Sequence, residues 1–195
     1  MNRQFYEKPA DQLAPALLGA LLVSRSQGQL TSGWIVETEA YLPMGDSACH
    51  AVRGETRSNQ SMFGVAGLGY VYPIHAKHCF NVVAGVHGEG TAVLIRALQP
   101  CDGIKLMMRR RQTARPLNLC RGPARLCQAL GIDRSHDGHD LTSGEPMWIQ
   151  RPARGTFAYD QIRTTERIGV TSAEELQLRF VVADCRYVSG PARMR

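Results

Sequence analysis

Apolar residues recur at spacings of three and four between positions 10 and 22, where Leu13, Leu17, Leu18 and Leu21 share one stripe. This periodicity predicts a helix. Asp11 offers an N-cap, and Pro15 then falls at the fourth helical position, where its missing N–H has little or no intrahelical partner. A short element at 21–24 and a strand at 33–41 follow, separated by a polar turn at 27–32. From 42 to 69 the chain is polar and glycine-rich, without sustained periodicity. Segments of that length lacking their own structure are uncommon in compact domains and often functional.

Residues 69–72 and 79–83 read as strands, with 73–78 as the tip of a hairpin. After a turn at 85–90 comes the apolar strand 92–98, and 100–111 predicts a helix with Ile104 and Met107 or Met108 inward. The best-marked helix is 122–131: Pro123 stands where a first helical residue falls, Leu126, Ala129 and Leu130 give the apolar stripe, and Gly131 follows its end. Short strands are expected at 147–150, 168–170 and 179–182. There is no repeat, low-complexity tract or linker. Strands joined by short turns predict antiparallel pairing, hence one mixed α/β (α+β) domain over 1–195.

Composition narrows the class only modestly. Of the 195 residues, 44 % are hydrophobic and 21 % charged, which fits a chain with a sizeable core and argues against wholesale disorder. The net charge of +6 permits a polyanionic partner without naming one. Arg109, Arg110, Arg111, Arg115, Arg121 and Arg125 lie close together with Lys105, either as a solvated face or as a phosphate-binding strip. The six cysteines form no Cys-x-x-Cys pair or zinc spacing, no apolar run approaches ~18 residues, and the first residues lack the apolar core of a signal peptide. The expectation is a cytoplasmic protein with free thiols, nucleoid-associated if bacterial.

Candidate chemistry concentrates in Val36-Glu-Thr-Glu-Ala-Tyr41, a strand that puts Glu37, Glu39 and Tyr41 on one face. Two carboxylates there are costly to bury unless each is paired or used, and a solvated face is the other reading. His50, Tyr70, Tyr72, His75, His78 and Arg96 are the remaining candidates. Residues 64–69 have neither the lysine nor the spacing of a P-loop, and no Gly-x-Ser-x-Gly elbow occurs. Asp133, His136, Asp137, His139 and Asp140 resemble a metal cluster, but their turn-like setting favours solvated loop residues.

The order of motifs is more specific than any one of them. Val36-Glu-Thr-Glu-Ala-Tyr-Leu42, Cys49-His50, Met62-Phe63, Tyr70-Val-Tyr72, His78-Cys-Phe-Asn81, the run from Val93 to Leu98 and the run from Leu119 to Gly131 follow in series. This series resembles the alkyladenine (3-methyladenine) DNA glycosylase family, in its mammalian-type fold rather than the helix-hairpin-helix one, from about residue 10 to Ser189. The resemblance implies a curved sheet with a protruding hairpin. It also implies a monofunctional enzyme that flips an alkylated purine out of duplex DNA and hydrolyses its N-glycosidic bond. The substrates it suggests are 3-methyladenine and also 7-methylguanine, hypoxanthine or ethenoadenine.

By that resemblance Glu39 is the general base for water and Arg96 the arginine beside it, a role worth about 10²–10⁴-fold in rate. Tyr41 on one side, with His50 and Tyr72 on the other, sandwich the base, and Asn81 excludes guanine by crowding its amino group. The wedge that fills the gap in the duplex falls on the hairpin tip. Here the tip is one residue shorter than the family pattern of tyrosine, glycine and methionine, and His75, Ile74 and Lys77 are the candidates. No metal or cofactor is implied; the partner is double-stranded DNA met through the minor groove, bound by a monomer. The alternatives are a lesion-binding protein with weak or no excision, and a small-molecule hydrolase using Glu39 on the same fold.

Overall fold

The protein is described by a computed structural model that covers residues 1–151 and 162–191. Among these residues, eight strands form one antiparallel sheet: β1 (Leu21–Ser26), β2 (Gln29–Tyr41), β3 (Gly69–Ile74), β4 (Lys77–Val83), β5 (Ala92–Pro100), β6 (Met147–Gln150), β7 (Ile162–Thr165) and β8 (Arg179–Val182). The main path runs β3-β4-β5-β2-β1-β6, and β7 joins through β8, which pairs with β2. The helices are α1 (Arg3–Tyr6), α2 (Ala10–Ala16), α3 (Ile104–Arg111) and α4 (Pro123–Leu130). The expected mixed α/β class with an antiparallel, curved sheet holds.

Strand β2 organises the rest. Its first half pairs with β1, and its second half lies between β5 on one edge and β8 on the other. Ala40, Val93, Ile95 and Leu98 face a core shared with Leu13 and Leu17 around α2, and with Leu126, Ala129 and Leu130 of α4. Val36, Ala97, Val181, Val182 and Val188 form a second apolar cluster. The β2–β5 register shifts on both sides of Glu37, so that Ile35 faces Leu98 while Thr38 faces Ile95. Such irregularities insert a residue and re-aim side chains. Here they allow Glu37, Glu39 and Arg96 to meet, although Ile95 and Leu98 both stay in the main core.

Several expectations shift. The first long helix does not reach residue 22: α2 begins after Pro9 rather than after an Asp11 cap, and ends at Ala16. Pro15 is thus the sixth helical residue, where its ring denies Asp11 a partner. Gly19 then takes a φ of 79° and donates to the Ile35 carbonyl, turning Leu21 into β1. The apolar stripe that suggested helix is satisfied because α2 and β1 bury Leu13, Leu17 and Leu21 alike.

The polar turn shrinks to Gln27 and Gly28, since β2 starts at Gln29. Helix α3 starts at Ile104, after Gly103 at φ 73°, and only Met107 is fully buried; Ile104 is exposed. No strand forms at 168–170, because Gly169 has a φ of 80° and the Ile168 N–H is taken by a side chain; β7 lies earlier, at Ile162–Thr165. Helix α4 matches its expected proline start and glycine end, with Gly131 at φ 72°. The 42–69 stretch contains two single turns of 3₁₀ helix, His50–Arg53 and Gln60–Phe63.

Candidate active site

Glu39 is fully buried. One carboxylate oxygen accepts the Ile168 N–H at 2.8 Å; the other accepts the Tyr41 hydroxyl at 3.0 Å and Arg96 Nη1 at 3.1 Å. Arg96 reaches it from the irregular stretch of β5, where its Nε also meets Glu37 Oε1 at 3.2 Å. Burial opposes the charge of Arg96, but Glu39 and Glu37 outweigh that and raise its pKa further. Arg96 is therefore a buried partner of both carboxylates.

Glu37 is equally buried and more heavily bonded. It accepts Arg179 Nε at 2.7 Å, the Ser189 hydroxyl at 3.0 Å and the Ser189 N–H at 2.6 Å, besides Arg96. Burial alone would raise its pKa; Arg96, Arg179 and the Ser189 amide prevail and hold it below the ordinary value near 4.5. A carboxylate so committed is a charged structural partner.

Beside Tyr41, whose hydroxyl links it to Glu39, opens a cleft of about 980 Å³, at the upper end of the ~300–1,000 Å³ usual for ligand sites; Glu39 and Arg96 do not themselves border it. Tyr41, His50, Tyr70, Tyr72, Asn81 and Ile74 line it, together with Cys49, Met62 and the wall 169–172. His50 and Tyr72 meet at 4.7 Å between ring centres, and Tyr72 and Tyr70 at 5.5 Å. These rings form a continuous aromatic side. Alternation puts Tyr70 and Tyr72 on one face of β3 and Asn81 on the paired face of β4, opposite Tyr70. The Asn81 side chain is held there by donation to the Tyr70 carbonyl at 3.0 Å.

Protonation states follow from burial. Desolvation, then the neighbouring Glu39 charge, raise the Tyr41 pKa, so its hydroxyl keeps the proton it gives to Glu39. Tyr70 and Tyr72 are raised mainly by desolvation. His50 is lowered by desolvation and then by Arg53, which keeps it neutral at pH 7. Its Nδ1 lies 2.8 Å from the Tyr70 hydroxyl.

At the hairpin, pairing continues to Ile74 with Lys77, so the tip is only His75 and Ala76 rather than 73–78. Both tip residues have positive φ, 44° and 59°, the two-residue geometry whose twist suits an antiparallel hairpin. His75 and Lys77 are exposed and stand outside the cleft, while Ile74 is exposed and also lines it.

The acidic and histidine cluster has structural work to do. Asp133 and His136 form a reciprocal cap, Asp137 accepts from the Val71 N–H and the Ser61 hydroxyl, and Asp140 pairs with Arg3 at 2.5 Å. Among the described residues, no three His, Cys, Asp or Glu side chains converge as metal ligands. All six cysteines are free.

Sequence reasoning missed Asp46 and Arg167, a fully buried pair bonded at 2.7 and 2.6 Å beside Tyr41. It also missed the Ile168 amide that holds Glu39. No local signal marks them, because Asp46 stands in the featureless loop and Arg167 precedes a stretch read as strand.

Residues 4–186 match the model of the methylpurine-DNA glycosylase family. A protein of Rhodopirellula baltica named "Putative 3-methyladenine DNA glycosylase" is 46 % identical over 99 % of this chain and 84 % of its own length. Proteins of the same name from Methanoculleus marisnigri and Carboxydothermus hydrogenoformans are 48 % and 44 % identical, over 95 % and 97 % of this chain and 96 % and 98 % of their own. These similarities place the enzyme among the DNA glycosylases, hydrolases of the N-glycosyl bond. The chain belongs to the methylpurine-DNA glycosylase family.

Proposed function

We propose that the cleft receives an alkylated purine turned out of duplex DNA, and that Glu39 activates the water that displaces it at C1′. The observation that carries this reading is the buried Glu39–Arg96 pair, joined through the Tyr41 hydroxyl to the ring-lined cleft. An ionised carboxylate accepts about four hydrogen bonds. Three come from Ile168, Tyr41 and Arg96, which leaves capacity for a reacting water. Because Glu39 is shielded from solvent, that water enters with the substrate. The same negative charge stabilises the cationic sugar of the transition state.

The base lies between Tyr41 and the His50–Tyr72 side, where stacking contributes about 1–3 kcal/mol per base and tolerates base identity. Cationic 3-methyladenine needs no acid to leave, so one carboxylate suffices, in agreement with Glu37 being locked in its ion pairs. 7-Methylguanine, hypoxanthine and ethenoadenine are the further substrates this reading allows. Tyr70, keeping its proton, donates to His50 Nδ1 and leaves Nε2–H as a donor towards the base. Asn81 crowds the amino group of ordinary guanine. The enzyme works as a monomer through the minor groove, with Ile74 and His75 filling the vacated stack and Lys77 near phosphate.

Incubation with a duplex carrying 3-methyladenine or hypoxanthine tests the reading. Wild type releases the free base; Glu39→Gln lowers release by at least about 10²-fold, the lower range for a positioned base, with duplex affinity nearly unchanged. Binding without base release by the wild type would favour a lesion-binding role. Activity on free nucleosides with no salt dependence would favour a small-molecule hydrolase.

A further inference from the structure

The loop 42–49 and the segment 166–173 are far apart in sequence and both supply parts of the cleft wall: Ser47, Ala48 and Cys49 from one, Gly169 to Ser172 from the other. One buried ion pair joins them. Arg167 Nη1 donates to Asp46 Oδ2 at 2.7 Å and Nη2 to Asp46 Oδ1 at 2.6 Å, with both side chains fully shielded from water. Each partner is also anchored to its own surroundings. Asp46 accepts the N–H groups of Leu42 and Ala48. Arg167 donates to the carbonyls of Ala40 in β2 and Ala173.

Two contacts carry this pair to the reacting centre. The guanidinium carbon lies over the Tyr41 ring at 4.7 Å from its centre. Arg167 does not border the cleft, so it backs the face of Tyr41 turned away from the ligand. The residue after Arg167 is Ile168, whose N–H holds Glu39 Oε1 at 2.8 Å and whose carbonyl accepts Arg96 Nη1 at 3.1 Å. Moving Arg167 by an ångström therefore moves the ring, the amide and the arginine that together hold the carboxylate.

We infer that Asp46 and Arg167 are positioning residues for base excision, a clamp that fixes the stacking ring Tyr41 and the carboxylate Glu39 relative to each other. This rests on the role proposed above for Glu39 and Tyr41. Neither clamp residue touches the substrate. Bidentate geometry and stacking belong to the planar guanidinium, so lysine retains the charge and loses both. A displacement of about 1 Å at a reacting group costs up to about 10²-fold in rate, which sets the size of the effect.

The test is single-turnover excision of 3-methyladenine from a duplex by wild type, Glu39→Gln, Arg167→Lys and Asp46→Asn, with duplex affinity and Tm measured for each. Arg167→Lys and Asp46→Asn should slow the chemical step about 10- to 100-fold while duplex affinity stays within about three-fold. The slowing should persist well below each variant's Tm, where a merely unstable protein would recover its rate. Excision by folded Arg167→Lys within about two-fold of wild type overturns the clamp. If that variant does not fold, Asp46→Asn decides by the same criterion. Hydrogen exchange on the wild type is an independent check: 42–49 and 166–173 should be protected together, and free exchange of either overturns it. A wild type that leaves the base in place, or Glu39→Gln that still excises, fails the underlying reading; success there with unaffected clamp variants fails the clamp alone.

Discussion

Glu37 shares its strand face with Glu39 and differs from it in what it is bonded to. Four donors reach Glu37 from Arg96, Arg179 and Ser189, and the two carboxylates balance the two guanidiniums inside the protein. Its folded pKa is lowered, so between that value and about 4.5 the unfolded chain binds more protons than the folded one. Stability then rises with pH across that window. The contribution is fully present above about pH 4.5 and is lost as pH falls through the folded pKa. Urea unfolding of the wild type at a series of acidic pH values should show this loss, and Glu37→Gln should flatten it. At pH 7 the same substitution breaks a buried pair and should cost about 3–5 kcal/mol, read from the shift in urea midpoint. The alternation of 37, 39 and 41 announced two carboxylates that needed partners; which one was locked could not be read, because Arg179 and Ser189 lie 142 and 152 residues away.

Among the elements, the β3–β4 hairpin combines regular pairing with an unusual turn. Two-residue turns with positive φ at both positions favour asparagine and glycine, yet His75 and Ala76 occupy this one. A non-glycine residue held there carries strain of roughly 1–3 kcal/mol. Ala76→Gly should therefore raise stability by about 0.5–1 kcal/mol, measured by thermal or urea unfolding, if relief of strain exceeds the added chain entropy of glycine. A fall in stability would mean that the turn already suits alanine. The strands of this hairpin were legible from Tyr70, Tyr72 and Asn81, and helix α4 from Pro123 and Gly131, since proline and glycine mark ends locally. The end of α2 was not legible in the same way. Leu13, Leu17 and Leu21 fit a single helical stripe, and only the pairing of Leu21 with Trp34 shows that the chain has already turned into a strand. Likewise Ile168 and Val170 read as strand residues because the demand of Glu39 for an amide donor is a tertiary fact.

At the scale of the molecule, the described residues place one set of positive charges by α3 and α4 and another at the cleft. Helix α4 packs against the core-facing side of β4 and β5, with α3 packed on α4, whereas the cleft opens on the side carrying Tyr41 and Asn81. The arginine cluster belongs mostly to the helical side. There, Arg110 and Arg111 donate to the carbonyls of Ala129 and Leu119, and Arg121 donates to Val188, so part of the cluster ties loops together. Around the cleft stand Arg53 and Arg134, both exposed and both lining it, Arg134 being also paired with Asp137 at 3.2 Å and donating to the Val71 carbonyl, with exposed Arg57 and Lys77 nearby in sequence. Phosphates flanking an extruded nucleotide would meet this second set. Log affinity for duplex falls with log salt at a slope of about −0.9 per neutralised phosphate, so four such contacts predict a slope of about −3 to −4. Replacing Arg53 and Arg134 together by glutamine should bring the slope about two units closer to zero. Replacing exposed Arg109 and Arg115 by glutamine should leave both affinity and slope where they are. The opposite result in a salt titration of duplex binding would move the nucleic-acid interface to the helical side, leaving the Glu39 cleft facing away from the duplex.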